Sequence, residues 1–266
     1  MMPTLPTVKS ALTRLLHWTA AIMLLQFANA ARAQTATVCI DHYPPFTYFV
    51  NNKAQGAMID ALKMIADEVG FSLAVSVNTA FARCLRMMQA GKMDLMVSLM
   101  PTPERLEYMT MFAYSEPEAL RMVARADFDG EPETALDILR LRVGLINGYE
   151  YPPEFERHPM VIQAPQPEAG LRLLDARRID ILVLNESVAA HLVDQAAAAG
   201  NQRTAIYKLL KATFLREQNV NSIGVAKASW LHGRKDQIGA SIARLRAAGE
   251  FERLIEKHQI QLRHSE

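Results

Sequence analysis

The chain has 266 residues, half of them apolar, which is enough to build a sizeable core in one large domain or two small ones and excludes a disordered chain. Its 29 Lys and Arg nearly balance 28 Asp and Glu, and no basic run tracks along the sequence, so nucleic acid is not an expected partner.

The first 33 residues read as a leader rather than as fold. Lys9 and Arg14 supply a positive n-region, Leu15 to Phe27 an apolar stretch too short to span a bilayer comfortably, and Ala31-Arg32-Ala33 an A-x-A cleavage site before Gln34. Ala28-Asn29-Ala30 offers a second such site, and the absence of a nearby Cys argues against a lipid anchor. Export to the periplasm is the expectation. Cleavage removes Lys9, Arg14 and Arg32 and no acid, leaving a nearly neutral mature protein.

After the leader, strand and helix patterns alternate. Thr37 to Ile40 reads as a first strand, followed by the turn-forming Tyr43-Pro44-Pro45-Phe46. Met58, Ile59, Leu62, Ile65, Ala66 and Val69 fall on one helical stripe closed by Gly70. Phe71, Leu73, Val75 and Val77 alternate as in a strand, and a second helix carries Phe81, Leu85 and Met88 up to Gly91. Leu95 to Leu99 is a buried strand, and Thr102-Pro103-Glu104 is an N-cap with proline at the first helical position. The order β-α-β-α-β-α predicts an α/β sheet with helices on both faces.

An internal echo follows. Arg86-Met87-Met88-Gln89-Ala90-Gly91-Lys92-Met93-Asp94-Leu95-Met96-Val97 resembles Arg172-Leu173-Leu174-Asp175-Ala176-Arg177-Arg178-Ile179-Asp180-Ile181-Leu182-Val183. Each is a helix end, a basic turn, an Asp and a buried strand, which predicts two similar α/β lobes. Glu118 to Ala126 reads as a strand leaving the first lobe and Asn221 to Ala228 as one returning, a two-strand hinge, with two helices broken at Gly249 after Trp230.

Cys39 and Cys84 are the only cysteines. An even pair in an exported chain, on neighbouring elements, points to a disulfide, the alternative being two buried thiols. Met87, Met88, Met93, Met96, Met100, Met109 and Met111 are spread by strand and helix spacing, so they read as core filler rather than as a soft-metal site. The histidines show no metal-ligand spacing, and no phosphate loop, dinucleotide fingerprint, nucleophile elbow or paired-Cys motif occurs. No cofactor and no metal are therefore expected.

Six short stretches carry a family resemblance: Tyr43-Pro44-Pro45-Phe46, Gly56-Ala57-Met58-Ile59-Asp60, Gly91-Lys92-Met93-Asp94, Thr102-Pro103-Glu104-Arg105, Val143-Gly144-Leu145-Ile146-Asn147-Gly148 and Gly249-Glu250-Phe251-Glu252-Arg253-Leu254-Ile255. In this order and spacing the chain resembles the periplasmic solute-binding proteins of the polar amino-acid type, family 3, which feed ABC importers. The resemblance implies the type II periplasmic binding fold: a leader at 1–33, a first lobe from 34–121 and 224–266, and a second lobe at 122–223. It also implies a monomer that closes on a small solute and presents it to a membrane permease, not an enzyme.

Residue by residue, Arg105 matches the family position that clamps a ligand carboxylate, a task suited to a planar two-pronged donor. Ser98 precedes it at a strand end, where open α/β sheets place ligand contacts. Tyr43 and Phe46 match cleft-wall aromatics, while Asp41 could meet a ligand cation or cap a turn. Arg83, before Cys84, could be a second anion contact. In the second lobe Gly148 and Tyr149 match a loop that reaches the ligand, with Tyr149 in place of a small hydroxyl residue. Asn185 stands where amino-acid binders usually have an Asp for the α-ammonium, so either Glu186 substitutes or the solute is not a standard α-amino acid. The alternatives are a dehydratase or lyase on the same scaffold, using Glu186 or Asp41, and an accessory or sensing protein that binds a protein partner.

Overall fold

The computed structural model describes residues 34–199, 206–214 and 220–264, so the leader expected at 1–33 lies outside the described residues. The first lobe opens with β1 (Thr35–Cys39), the hairpin β2 (Tyr48–Val50) and β3 (Lys53–Gln55), α1 (Ala57–Val69), β4 (Ser72–Val75), α2 (Phe81–Gln89), β5 (Leu95–Leu99), α3 (Pro103–Tyr108) and β6 (Met109–Ala113). The second comprises β7 (Leu120–Arg125), α4 (Ala135–Ile138), β8 (Val143–Ile146), α5 (Pro153–Glu156), β9 (Val161–Ala164), α6 (Pro167–Asp175), β10 (Ile181–Asn185), α7 (Glu186–Ala199) and β11 (Tyr207–Phe214). Then β12 (Ser222–Ala226), a 3₁₀ turn (Trp230–Arg234), α8 (Lys235–Ala247) and α9 (Glu250–His264) complete the first.

Two five-stranded mixed sheets result, ordered β4-β1-β5-β12-β6 and β11-β7-β10-β8-β9. In the first, β1 is parallel to β4 and β5, and β12 runs antiparallel to β5 and β6. In the second, β8 is parallel to β9 and β10, and β7 runs antiparallel to β10 and β11. The sheets are therefore the same pattern twice. β7 and β12, read from sequence as strands leaving and returning, are each an interior strand of the sheet they enter. The chain passes between sheets after Ala113 and again after Phe214.

The echo seen in sequence is a repeat in hydrogen bonds. After α2, the N–H groups of Gly91 and Lys92 donate to Met88 and Met87 carbonyls; after α6, those of Arg177 and Arg178 donate to Leu174 and Leu173. Gly91 and Arg177 both adopt left-handed φ, 65° and 52°, which closes each helix and turns the chain into the next strand. The acid that follows does the same work in each copy: Asp94 Oδ2 accepts the Thr37 N–H at 2.7 Å and Asp180 Oδ2 the Arg142 N–H at 2.8 Å. Each thereby ties the start of the central strand to its parallel neighbour, β1 in the first lobe and β8 in the second.

α1 forms because Met58, Ile59, Leu62, Ile65 and Ala66 bury one stripe, and it ends at Gly70, φ 82°, whose N–H bonds the Ala66 carbonyl. The hairpin β2–β3 turns on Asn51 and Asn52, both at positive φ, a turn the apolar periodicity did not reveal. The expected methionine cluster is core: Met88, Met96 and Met109 are buried with Phe81 and Leu99 around Cys39 and Cys84, with Met87, Met93 and Met111 packed against them. Cys39 and Cys84 are joined in a disulfide, Cα to Cα 5.6 Å, which ties the end of β1 to α2.

Candidate functional site

The carboxyl ends of β5, β8 and β10 and the segment after β1 face one another between the lobes, the position where parallel strands leave backbone and side chains free to meet a ligand. Arg105 reaches this cleft from α3. The Thr102 hydroxyl accepts the Arg105 N–H at 3.2 Å, so the cap and Pro103 fix the helix start two and three residues before it. The guanidinium is buried, 3% exposed. Its Nη1 donates to the Met100 carbonyl at 2.7 Å, and its Nη2 to the Gly148 carbonyl at 2.7 Å and Glu150 Oε1 at 2.9 Å. Phe81 stacks beneath it, 5.6 Å from ring centre to Cζ. Burial draws its pKa below the ordinary arginine value, and the Glu150 carboxylate opposes that. A cation out of water needs such partners. The Gly148 contact runs through its carbonyl rather than its N–H, since Gly148 has φ 86°.

The aromatic wall has three members. Tyr43 stacks on Phe46 at 5.3 Å, and Tyr149 from the other lobe meets Tyr43 edge-on at 5.7 Å and Phe81 at 4.8 Å. Phe46 packs behind Tyr43 in the core, whereas Tyr43, Phe81 and Tyr149 line the cleft. The Tyr149 hydroxyl donates to Asp41 Oδ2 at 3.4 Å. Burial raises the Asp41 carboxyl to about 7; hydrogen bonds from its own backbone and Tyr149 oppose this, and the Glu168 charge adds to it. His42 Nε2 lies 3.5 Å from Glu168 Oε1, a further contact between the lobes.

The cleft floor is amide and hydroxyl. Ser98 has φ 56°, within a β-bulge where β5 carries one more residue than β12 between paired positions. That backbone strain turns its Oγ to within 3.1 Å of the Tyr114 hydroxyl. Asn185 and Asn221 also line the cleft, and each side-chain amide donates to Glu118 Oε2 at 3.4 Å.

Two sequence-based expectations take a different position. Glu186 opens α7 but turns outward to Arg121, 3.4 Å away, with its side chain half exposed, so it does not stand beside Asn185 on the cleft wall. Arg83 is exposed on α2 and does not line the cleft. The periodicity reading missed Phe81, Glu150 and Asn221, which line the cleft, and Glu118, which faces Asn185 and Asn221. Phe81 carried a signal, since it directly follows the turn into α2 and precedes the disulfide by three residues.

The space left between these groups is about 10 Å³, room for about one water. Among larger depressions, one of about 470 Å³ beside β4 and one of about 730 Å³ beside β6 lie on the outer edges of the first sheet, where their charged residues are all exposed, and one of about 110 Å³ lies between α7 and α9. Among the described residues no group of His, Cys, Asp or Glu could hold a metal ion, and no helix is long and apolar enough to cross a membrane.

Residues 36–261 match the family model of bacterial extracellular solute-binding proteins, family 3. The chain belongs to that family. No curated protein matches it. In structure this solute-binding protein is similar to an amino acid ABC transporter substrate-binding protein of Streptococcus pneumoniae bound to L-arginine, at 21% identity and TM-score 0.73, covering 86% of this chain and 95% of that one. It is similar also to an arginine third transport system periplasmic binding protein of Legionella pneumophila, at 18% identity and TM-score 0.73, covering 85% and 100%. A Salmonella typhimurium periplasmic binding protein described for high arginine specificity matches at 17% identity and TM-score 0.70, covering 85% and 99%. At these identities the likeness is one of fold, the type II periplasmic binding fold, and the family is one of solute-binding proteins rather than enzymes.

Proposed function

We propose that this protein captures an amino acid or a related small, carboxylate-bearing polar solute between its lobes and delivers it to the membrane permease of an ABC importer. The carrying observation is the buried Arg105 guanidinium, which already holds a carboxylate from the opposite lobe, that of Glu150, at 2.9 Å. A site that seats one carboxylate across the cleft has the charge and reach to seat a solute's. Contacts made by both lobes exist only when the cleft is closed, so a solute that replaces Glu150 favours closure through its own differential affinity. In this reading the leader expected at 1–33 directs export to the periplasm, the protein works as a monomer, and the segments after Ala113 and Phe214 act as the hinge between lobes at 34–121 with 224–266 and at 122–223.

The three arginine-linked structural relatives make L-arginine the first probe. Titration calorimetry of residues 34–266 with arginine, other amino acids, dicarboxylates and small aromatic acids is expected to give saturable binding that Arg105→Ala reduces by at least about a hundredfold, two buried charged hydrogen bonds' worth. Equal affinity in that variant overturns the clamp. Binding by no carboxylate overturns the solute reading and leaves the accessory or sensing role. The Asp41 carboxyl, held at about 7, is what an enzyme's general acid would show. Burial beside Tyr149 accounts for it without catalysis.

A further inference from the structure

We propose that Asp41 and His42 of the first lobe and Tyr149 and Glu168 of the second form a proton-operated latch, which holds the cleft shut while Asp41 and His42 carry their protons and lets it open when they lose them. The latch goes beyond solute capture: it needs lobes that move about their hinge, whatever the cleft holds.

Two residues from each lobe build it. Asp41 and His42 follow β1; Tyr149 follows β8, and Glu168 stands in the first turn of α6. They meet in two contacts across the cleft, the Tyr149 hydroxyl donating to Asp41 Oδ2 at 3.4 Å and His42 Nε2 lying 3.5 Å from Glu168 Oε1. Asp41 is buried. Both carboxylate oxygens of Glu168 are buried too, yet neither accepts a hydrogen bond. A carboxylate so placed keeps its charge cheaply only beside a cation. His42 supplies one when its imidazole carries the second proton, whereas Arg172, a turn later on α6, is exposed.

The two acids, one from each lobe, also repel one another when both are ionised. Burial, with the Glu168 charge adding to it, keeps the proton on Asp41 up to about 7 against the ordinary 3.8. Tyr149 lies in the field of both acids. The other titratable groups around Asp41 are His42, next to it in the chain, and Tyr43, and neither carries a fixed positive charge. Arg105, the cation of the cleft, is taken up by Glu150. When the lobes part, water and the departure of Glu168 return Asp41 towards its ordinary value. Closing then takes up a proton between about pH 4 and about pH 7, so the ratio of closed to open protein falls by up to about tenfold per pH unit across that window and levels off above it. The His42–Glu168 pair acts in the same direction, because it attracts only while the imidazole is charged. Acid closes the latch and alkali opens it.

The test reads the separation of the lobes directly. Spin labels go on Gln89→Cys of α2 and Arg157→Cys after α5, both exposed and one in each lobe, while Cys39 and Cys84 stay tied in their bridge. Pulsed dipolar spectroscopy of residues 34–266 then follows the distance from about pH 5 to about pH 8, without solute and with excess L-arginine. Without solute, the closed-to-open ratio is expected to be at least about tenfold higher at the acid end. Asp41→Asn and Glu168→Gln are each expected to remove part of that dependence, and the double variant all of it. A merely structural role would change the ratio alike at every pH. A separation that is the same at both ends of the range overturns the latch, and so does a pH dependence that survives whole in the double variant. If L-arginine shortens the distance where pH does not, solute-driven closure stands and the latch falls. If pH shortens it and L-arginine does not, the latch stands without L-arginine as the solute. If the variants do not fold, the wild-type dependence on pH decides.

Discussion

In the proposed clamp Glu150 holds the fork that a solute's carboxylate would use, and this predicts that removing its charge strengthens binding. Arg105 Nη2 divides its hydrogen bonds between the Gly148 carbonyl at 2.7 Å and Glu150 Oε1 at 2.9 Å. The arginine side chain is 4% exposed and that of Glu150 36%, so the pair is buried on one side and wet on the other. A charged hydrogen bond of this kind contributes about 1.5 kcal/mol, the low end of its range because water screens the carboxylate. A solute must displace that bond before seating its own carboxylate, so Glu150 lowers the apparent affinity by about tenfold. Glu150→Gln keeps the length of the side chain and removes the charge. Calorimetry with the solute that binds wild type most tightly is expected to show a dissociation constant about tenfold lower in the variant, with Arg105→Ala weak in both backgrounds. An unchanged constant would falsify the competition. A weaker one would show that Glu150 holds the closed, loaded form instead.

Other consequences concern stability. Reducing or deleting the Cys39–Cys84 bridge, which spans 45 residues, frees a loop worth about 4 kcal/mol of chain entropy and should lower the melting temperature of the Cys39→Ser, Cys84→Ser double variant by roughly 10 °C; a change under about 2 °C would contradict this. Asp41 keeps its proton in the folded protein up to about pH 7 but loses it near 3.8 when unfolded. The folded state therefore binds more protons in that window, and stability falls as pH rises from about 4 to about 7. Asp41→Asn removes this slope, so its advantage over wild type in urea denaturation should be absent near pH 4 and reach on the order of a few kcal/mol by pH 8; parallel curves would refute it. Gly56 has φ 125°, and a Cβ there would stand 2.2 Å from the Phe46 carbonyl oxygen. Gly56→Ala should cost about 3 kcal/mol and loosen the loop that presents Tyr43, measured as a lower denaturation midpoint and weaker solute binding.

The lobes were legible in the sequence because their determinants are local. The stripe from Met58 to Val69, the alternation after Gly70 and the cap at Thr102 each act within a few residues of chain. The repeat was legible for the same reason: a helix end, a left-handed turn and an acid that ties back to the neighbouring strand recur at Gly91 with Asp94 and at Arg177 with Asp180. Arg105 could be picked out as a cleft residue because it and its cap sit in one short motif.

What faces the cleft was settled by the tertiary structure. Glu186 stands beside Asn185 in the chain, yet a helix start turns it outward to Arg121, while Glu118, 67 residues earlier than Asn185, arrives at its amide from the crossing between sheets. Glu150 comes to Arg105 from the opposite lobe, 45 residues on, and Tyr149 comes between Tyr43 and Phe81 in the same way. Strand and helix periods tell which residues share a face of one element. Which faces meet depends on two sheets packed across a double crossing, and no local pattern carries that distance.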